Sequence, residues 1–274
     1  MNGLYEPHAV CSLPLPRSYS KRSNSMRRFE NKTVIVTGAS KGMGADIALG
    51  FGREGANVVV NYASDVKAAR RVVDTIKSYG GQAICVKANI AARSEVEAMF
   101  MDCNQAFGQV DILVNNAGVY GFDQLEEITE ESFHTMFNLN VLGVIHCCQL
   151  ARESLIERMG CIINISSTAT AETPEGSLVY TASKGAVDMI TRTLSKELGP
   201  HGVRVNSINP GLIVTEGTNT LGIIGGDIEQ SFVERTPLRR VGVPADITPL
   251  ALFLASEDAR WLTGEILYAS GGIR

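Results

Sequence analysis

The sequence predicts an α/β fold, a single domain built on one doubly wound sheet of seven parallel strands. Two observations predict it. From residue 33 onward, short runs rich in β-branched residues alternate with segments of helical length. These runs are almost continuously apolar, as expected for parallel strands that helices cover on both faces. The predicted strands are "TVIVT" (33–37), "NVVVN" (57–61), "AICVK" (83–87), "VDILV" (110–114), "CIINIS" (161–166), "VRVNSIN" (203–209) and "EILYAS" (265–270).

Polar residues and glycines mark the ends of two predicted helices. Ser94 is the predicted N-cap of a helix that ends at Gly108, and Glu97 completes a capping box three residues later. Thr129 is the predicted N-cap of one long helix that stops at Gly160. We therefore expect a single uninterrupted helix over about 130–158.

The first 28 residues differ in composition from the rest of the chain. They hold five Lys or Arg, one acidic residue, three prolines and five serines. Such a segment buries too little apolar surface to fold alone, so we predict a basic, disordered tail (1–28) before one domain (29–274). Two alternatives are a transit peptide, which the acid-poor composition fits, and an upstream extension before a natural start at Met26.

Charge, hydropathy and cysteine spacing exclude several classes of protein. A net charge of -4 argues against a nucleic-acid partner, which would require a basic surface. No run reaches the roughly 20 apolar residues of a membrane-spanning helix, so we expect no membrane partner. The six cysteines form no C-x-x-C pair, which predicts reduced thiols and a cytoplasmic location.

A glycine-rich turn follows the first predicted strand. In "TGASKGMG" (37–44), Gly38, Gly42 and Gly44 stand where a strand turns into a helix. Glycines let the main chain approach a pyrophosphate closely, and the start of the helix offers free N–H groups to it. The turn therefore predicts a dinucleotide site in a Rossmann-type fold.

Two residues near this turn indicate which dinucleotide binds. A carboxylate commonly ends the second strand in NAD-binding proteins of this fold, where it binds both ribose hydroxyls. Here the neutral Asn61 stands at that position, and Lys41 lies within reach of a 2′-phosphate. Asp65 is better placed to cap the next helix. NADP(H) is therefore favoured, and NAD(H) is the alternative.

A tyrosine and a lysine lie one helical turn apart in a predicted helix over 177–199. Residues i and i+4 share one face of a helix, so Tyr180 and Lys184 can present their polar ends to a common cleft. Ser167, 13 residues before Tyr180, ends the fifth predicted strand, and Ser166 is the alternative serine. The four histidines have no metal-binding spacing, so we predict no metal site.

Six motifs, taken in order, resemble the short-chain dehydrogenase/reductase family over residues 29–274. They are "TGASKGMG" (37–44), "NNAG" (115–118), Asn140 in "NLNVLG", Ser167, "YTASK" (180–184) and "NPGLIVT" (209–215).

This resemblance implies a role for each of four catalytic residues. Tyr180 would be the general acid in carbonyl reduction and the base in alcohol oxidation, and Lys184 would lower the pKa of its phenol. Ser167 would hydrogen-bond the substrate oxygen. Asn140 would hold a water beside Lys184, and the alternative explanation for an asparagine there is a helix kink or a buried amide.

The resemblance also implies a set of cofactor contacts. Asn89 would take the place of an aspartate that meets the adenine amine, and the residues after the sixth strand would close over the nicotinamide. The complete set is Gly38, Ser40, Lys41, Gly42, Met43, Gly44, Asn61, Tyr62, Ala63, Asn89, Ile90, Asn116, Ala117, Gly118, Tyr180, Lys184, Pro210, Gly211, Ile213 and Thr215.

The resemblance implies that the substrate is a small carbonyl or alcohol compound, and the motifs do not identify which one. The sequence resembles the 3-oxoacyl-acyl carrier protein reductase and glucose 1-dehydrogenase branches most. Residues 216–243 would form a mobile lid. Its apolar side chains Leu221, Ile223 and Ile224 are explained equally well by an apolar substrate and by packing against the body of the protein. Tyr120 and Trp261 are candidates for the pocket or for an oligomer contact.

Three further expectations accompany this interpretation. A 3-oxoacyl thioester or related ketone is the favoured substrate, with a sugar or polyol as the alternative. A protein of another class, an inactive dinucleotide-binding sensor, would be expected to lose the serine, tyrosine and lysine that this chain retains. The resemblance implies a homotetramer or homodimer, with the long helix and the tyrosine helix between subunits.

Overall fold

One parallel sheet of seven strands forms the centre of the molecule. The computed structural model describes residues 27–220 and 222–273. All seven predicted strands are confirmed, each with ends within two residues of the prediction. The strands are β1 (Thr33–Val36), β2 (Asn57–Tyr62), β3 (Gln82–Lys87), β4 (Ile112–Asn115), β5 (Cys161–Ile165), β6 (Arg204–Pro210) and β7 (Ile266–Ala269).

The strand order makes this a doubly wound sheet. The order is β3-β2-β1-β4-β5-β6-β7, and every neighbouring pair is parallel. The chain therefore builds outward from β1 in one direction and then returns to add β4 on its other side. This reversal opens a crevice at the carboxyl ends of β1 and β4.

Helices cover both faces of the sheet. Most of them connect one strand to the next, as parallel pairing requires. The helices are α1 (Gly42–Arg53), α2 (Val66–Ser78), α3 (Arg93–Phe107), α4 (Glu130–Phe137), α5 (Gly143–Arg158), α6 (Ala169–Glu172), α7 (Leu178–Leu198), α8 (Glu216–Thr220), α9 (Asp227–Arg235) and α10 (Pro244–Ala255), with a π-helical turn at Asn138–Leu142 between α4 and α5.

Alternate residues of each strand feed two separate cores. Val34 and Val36 pack with Phe51 in the layer of α1, α2 and α10. Ile35, between them, packs with Leu155 in the layer of α3, α5 and α7. Because both faces are buried, neither carries polar residues in alternation, which explains the continuous apolar runs.

The predicted cap at Ser94 is wrong. Helix α3 starts two residues earlier than predicted, at Arg93, with Ala92 as an N-cap that supplies no side-chain bond. Glu97 instead accepts a bond from Arg93 Nε at 2.9 Å, so it does not reach back to close a capping box. The predicted end is confirmed, since Gly108 follows the helix with a φ of 77°.

The long helix predicted from Thr129 is interrupted. Its start is confirmed, because the Thr129 hydroxyl accepts the Ser132 N–H at 3.1 Å. The π-helical turn then divides it into α4 and α5. Helix α5 ends with Met159 in the left-handed conformation, just before Gly160.

Two residues assigned to the tail contact the folded body. Arg28 Nη2 lies 2.8 Å from Glu54 Oε1, and Arg27 Nη2 donates to the carbonyl of Tyr79 at 3.3 Å. The remaining part of the predicted tail, residues 1–26, lies outside the described residues. Within the described part of the chain, no helix combines the length and the apolar character needed to cross a membrane.

Candidate active site

The candidate site lies where the carboxyl ends of several strands meet. Strands β1 and β4 are neighbours at the point where the sheet changes its direction of growth. Ligands of doubly wound proteins bind in the crevice above such a point. The segments that follow β1, β4, β5 and β6 carry most of the predicted cofactor and catalytic residues, so the topology brings these residues to one edge.

The glycine loop after β1 is fastened to the turn after β4. Gly38 has a φ of 61°, and a Cβ on it would lie 2.9 Å from the Cα of Ala117. The Asn116 amide donates to the carbonyls of Thr37 and Gly38, at 2.9 and 3.2 Å. The Thr37 hydroxyl accepts the N–H groups of Asn116 and Ala117, at 2.9 and 3.0 Å. The side chains of Asn116 and Thr37 therefore shape the loop, a role for Thr37 that sequence analysis missed.

The first turn of α1 can receive an anion. Lys41 is its N-cap residue, and no side chain caps the helix. Gly42 follows with a φ of 59°, and a side chain on Gly44 would collide with Asn116 Nδ2. The Lys41 side chain is exposed beside this turn. A helix start without a cap, next to a glycine turn, fits the pyrophosphate of a dinucleotide.

The Asn61 amide is used inside the protein. Its side chain is 1% exposed. Its Oδ1 accepts the Gly38 N–H at 3.0 Å, and its Nδ2 donates to the carbonyl of Ala88 at 3.0 Å. Asn61 therefore ties the glycine loop to β3, and this geometry gives no support to the prediction that it contacts the ribose. The exposed residues after β2 are instead Ala63 and Ser64, which follow the half-buried Tyr62.

Asp65, the carboxylate that follows β2 in the chain, has its predicted role. It is the N-cap residue of α2, and its Oδ1 accepts the Ala68 N–H at 2.9 Å. Lys41 is the one charged residue within the glycine loop itself, residues 37–44.

The two predicted site residues in the turn after β3 differ in their exposure. Asn89 is exposed, and its side-chain oxygen accepts the Ala91 N–H at 3.1 Å. Ile90 is 1% exposed, and its carbonyl accepts a bond from His146 Nδ1 at 3.2 Å. Asn89 is open to a ligand, whereas the Ile90 side chain belongs to the core.

The segment after β6 borders the site opposite the glycine loop. Pro210, Gly211, Ile213 and Thr215 all line the same cleft. A Cβ on Gly42 would lie 3.3 Å from Thr215 Cγ2. The two segments therefore face each other at close range, as their predicted contacts with one cofactor require.

Tyr180 and Lys184 share one face of α7, as the spacing predicts. Lys184 Nζ lies 5.9 Å from the centre of the Tyr180 ring. The amine is buried and donates to the carbonyl of Ile165, at the end of β5, at 3.0 Å. A Cβ on Gly118 would stand 3.3 Å from this amine, so the glycine leaves the room that Lys184 occupies.

The structure distinguishes the two serines after β5. Ser166 is buried, and its hydroxyl donates to the main-chain carbonyl of Lys184 at 3.2 Å. Ser167 lines the cleft together with Tyr180, and its hydroxyl oxygen accepts the Ala169 N–H at 3.1 Å. This geometry supports Ser167 as the serine that meets a substrate.

Burial controls the proton affinity of both groups on α7. It raises the pKa of the Tyr180 phenol, and the hydrogen bond with Ser167 opposes that rise. It lowers the pKa of Lys184 to about 8, and the charge of Asp188 opposes that fall. The expected lowering of the phenol's pKa by Lys184 is therefore absent in the protein alone. At neutral pH the phenol holds its proton.

Asn140 occupies the π-helical turn, so the alternatives of a helix irregularity and a buried amide both apply. It is 1% exposed. Its Nδ2 donates to the Val119 carbonyl and to the Ser183 hydroxyl, at 2.8 and 3.0 Å. Its Oδ1 accepts the Val119 N–H at 2.8 Å. Both side-chain N–H groups are thus used to fasten the segment after β4 to α7.

A cleft of about 730 Å³ opens beside Ser167 and Tyr180. Among the described residues, its lining includes Glu172 and Glu175 but no Lys or Arg. Trp261 is 95% exposed and outside this lining, and Leu221 lies outside the described residues. The apolar and aromatic part of the lining includes Tyr120, Phe122, Ile223, Ile228 and Phe232.

An ion pair joins the lid, residues 216–243, to the body of the protein. Arg235 Nη1, at the end of α9, lies 3.2 Å from Glu172 Oε2 on α6. The Glu172 side chain is only 7% exposed, and the Arg235 guanidinium stands 4.8 Å from the centre of the Phe232 ring. The pair holds one wall of the cleft in place, a function that sequence spacing did not reveal.

A glycine turn at the switch point, with a serine, a tyrosine and a lysine at the adjoining cleft, defines a dinucleotide-binding oxidoreductase. Comparison with known proteins agrees. The family model described as enoyl-(acyl carrier protein) reductase matches residues 38–274. The chain belongs to the short-chain dehydrogenase/reductase family, and is an NAD(P)-dependent oxidoreductase acting on CH–OH groups.

Three similar proteins show the breadth of this family. An uncharacterized oxidoreductase of Methylorubrum extorquens is 48% identical, over 91% of this chain and 100% of its own. The 3-oxoacyl-[acyl-carrier-protein] reductase FabG of Staphylococcus epidermidis is 38% identical, over 89% of this chain and 99% of its own. A 7α-hydroxysteroid dehydrogenase, solved with NADH and 7-oxo glycochenodeoxycholic acid, superimposes with a TM-score of 0.86 at 37% identity, covering 90% of this chain and 96% of its own.

The low pKa of Lys184 makes a prediction about stability. Between pH 8 and 10.5 the unfolded lysine holds a proton that the native amine has released, so rising pH favours the native state. The free energy of unfolding of the wild type, minus that of Lys184→Met, should rise by about 3 kcal/mol across this window. Urea titrations of the ligand-free protein at several pH values measure it.

Subtracting the variant removes the titration of the other groups, including the buried cysteines. Lys196→Met, which removes an exposed lysine from the same helix, is the matched control. A difference between wild type and Lys184→Met that stays constant with pH would show that the amine does not titrate in this window.

Proposed function

We propose that the protein interconverts a ketone and a secondary alcohol with NADP(H), using Tyr180 as the general acid or base. The observation that carries this proposal is that Ser167 and Tyr180 both line the same cleft. Two hydroxyls so placed can both meet one carbonyl oxygen. Lys184, behind the phenol, completes the set.

The nicotinamide, when bound, supplies or accepts the hydride. The residues that would hold the dinucleotide are the glycine loop with Lys41, the turn at Asn116–Gly118, and the segment after β6. Ser167 would donate to the substrate oxygen and orient it. Tyr180 would then give its proton to that oxygen as negative charge develops there.

The proton affinities suit reduction more than oxidation. Burial raises the pKa of the Tyr180 phenol, which keeps the proton available to a substrate at neutral pH. Lys184, with a pKa of about 8, can be charged or neutral near that pH and so can return a proton to the phenol. The favoured direction is therefore from ketone to alcohol.

The choice of NADP(H) over NAD(H) rests on charge. Lys41 is exposed at the start of α1, and the carboxylate of Asp65 is engaged as a helix cap. A 2′-phosphate would therefore meet the cation of Lys41 at the start of α1. The similar hydroxysteroid dehydrogenase was solved with NADH, so the preference has to be tested on this chain.

The lining of the cleft favours an apolar ketone over a sugar. Aromatic and aliphatic side chains such as Phe122, Ile228 and Phe232 dominate it. A polyol would leave many hydroxyls without partners there. A 3-oxoacyl thioester or a related ketone is thus favoured over glucose, although the described residues of the lining include no cation for an acidic carrier protein.

The first experiment measures NADPH and NADH oxidation with purified protein. The substrates are an acetoacetyl thioester, a diketone and an aromatic aldehyde, and glucose with NADP⁺ or NAD⁺ tests the reverse direction. Reduction of a ketone with NADPH supports the proposal. Glucose oxidation without ketone reduction, or a strong preference for NADH, contradicts it.

The groove between α5 and α7 supports the proposal of a homo-oligomer, a tetramer or dimer. It has a volume of about 540 Å³ and is lined by side chains of both helices, including Ile145, Met189 and Leu194. Met189 is 51% exposed. A second copy of the chain would cover these apolar side chains.

We also propose a cytoplasmic location for this enzyme. Cys85, Cys103, Cys147, Cys148 and Cys161 are all free thiols in the structure, which suits a reducing compartment. Fractionation of cells that express the full chain tests this, and recovery in an organelle fraction would favour the transit-peptide alternative for the tail.

Removing the phenol hydroxyl should remove the proton transfer. Tyr180→Phe is expected to lower kcat for ketone reduction by roughly 10² to 10⁴, while NADPH still binds. Tyr120→Phe, which removes a second hydroxyl from the cleft wall, should cost less than about tenfold. Turnover by Tyr180→Phe close to that of the wild type would rule out the assigned role.

Removing the cation at the start of α1 should weaken NADPH binding selectively. Lys41→Ala is expected to raise the KM for NADPH about tenfold, as loss of one charge-assisted bond does, and to leave the KM for NADH unchanged. Lys67→Ala, an exposed lysine on α2, is the control. An equal rise for both cofactors would show that Lys41 does not read the 2′-phosphate.

A charge in the groove should break the oligomer. Met189→Glu is expected to shift the protein to a smaller species in sedimentation velocity, because the carboxylate would be buried without a partner. Met101→Glu is a matched control, since Met101 is 66% exposed on α3 and lies outside the groove. A wild type that is monomeric at micromolar concentration would contradict the proposal directly.

A further inference from the structure

A buried carboxylate lies behind the catalytic residues. Asp188 is 6% exposed. It follows Lys184 by one turn of α7 and Tyr180 by two, so all three lie along one side of the helix. A buried carboxylate is costly unless a cation or hydrogen bonds compensate it. Asp188 therefore requires hydrogen-bond partners inside the protein.

The Asn209 amide is the hydrogen-bond partner of Asp188. Its Nδ2 lies 3.2 and 3.1 Å from the two carboxylate oxygens of Asp188. The Asn209 Oδ1 accepts a bond from the Ser207 hydroxyl at 2.7 Å. Because a carboxylate only accepts, the nitrogen of the amide must face Asp188, and the orientation of Asn209 is fixed.

The same amide group holds the main chain of Ser167. Asn209 Nδ2 lies 3.0 Å from the Ser167 carbonyl and 3.1 Å from the Thr170 hydroxyl. The Thr170 hydroxyl donates to the Ser167 carbonyl as well, at 3.0 Å. One amide at the end of β6 thus connects the helix that carries Tyr180 to the residue that binds the substrate oxygen.

Asp188 also supplies a charge for the buried amine. The charged and titratable groups that face Lys184 from its own helix are Asp188 and Tyr180. The other elements packed around the amine contribute uncharged groups, the Ile165 carbonyl from β5 and Gly118 with Asn140 from the opposite side. Tyr120 is a further titratable group, and it faces Tyr180. Among the described residues, Asp188 is thus the anion that opposes the effect of burial on Lys184.

We propose that Asp188, together with Asn209, is a positioning residue: it keeps Ser167 in register with Tyr180 and holds Lys184 in its charged form. This inference rests on the proposed function, because it assigns Ser167, Tyr180 and Lys184 to the reaction. Asp188 is not one of the residues that line the cleft, so it acts through its neighbours.

The test is Asp188→Asn, which keeps an oxygen for the Asn209 amide and removes the charge. With the ketone that the wild type reduces, the alkaline limb of the pH profile should move at least one unit lower. Because Lys184 has a pKa of about 8 in the wild type, kcat at pH 7 should then fall by about twofold or more. The sign follows because loss of the anion makes the ammonium of Lys184 easier to deprotonate. The affinity for NADPH should be unchanged.

A matched control is Asp111→Asn. Asp111 is also buried, but its carboxylate pairs with Lys32 and Arg158 at the opposite end of the sheet. This variant should lose stability and leave the pH profile in place. A shift of the profile that both variants share would show that it reports a general loss of stability, and would overturn the role of Asp188.

A second measurement does not depend on activity. In protein labelled with [ε-¹³C]lysine, the Lys184 resonance, assigned by its absence in Lys184→Arg, should titrate at least one pH unit lower in Asp188→Asn. Equal titration midpoints would overturn the proposal even if the wild type reduces ketones. A shifted midpoint in a protein that reduces no ketone would instead reject the proposed function and leave the link between Asp188 and Lys184 intact.

Discussion

The burial of the Lys184 amine is the constraint on which the arrangement of the site depends. An ammonium that loses its water must find acceptors and an anion inside the protein. The structure supplies the Ile165 carbonyl at 3.0 Å and the carboxylate of Asp188 one turn along the helix. Glycine at position 118 leaves space for the amine. Strand β5, helix α7 and the segment after β4 therefore converge on one nitrogen atom.

The burial of the Tyr180 phenol makes its proton affinity depend on the charge of the cofactor. Without the dinucleotide, the phenol of Tyr180 has a raised pKa, because burial penalises its anion. The oxidised nicotinamide ring carries a positive charge, whereas the reduced ring does not. The charge that would favour a phenolate thus accompanies only the oxidised form, which is the form present when an alcohol has to give up its proton.

The sequence predicted the elements that depend on local composition and left out those that depend on contacts across the fold. Strand positions were readable because both faces of the sheet are buried, so every strand is a continuous apolar run. The start at Thr129 was readable because a cap is a local hydrogen bond. Glu97 had two local partners available, the main chain at the predicted cap Ser94 and the side chain of Arg93. The sequence pattern did not distinguish between them, and in the structure Glu97 pairs with Arg93.

The residues that sequence analysis missed or misplaced are those whose partners lie far along the chain. Asn209 and Asp188 are 21 positions apart, and Arg235 and Glu172 are 63 positions apart. Asn61 had the right position for a ribose contact, but its amide reaches the glycine loop, 23 positions away. The placement of Tyr180 and Lys184 on one face could be predicted from their spacing, because one helix carries both residues.

The π-helical turn at Asn138–Leu142 has a consequence for the whole segment around it. Each helical residue advances the chain by about 100° around the axis, so the residue that a π-turn adds rotates everything after it by that amount. Helix α4 can then pack toward α7 while α5 packs toward α3. One continuous stretch of chain thereby presents two differently oriented faces, and deleting a single residue from the turn would point one of them at the wrong neighbour.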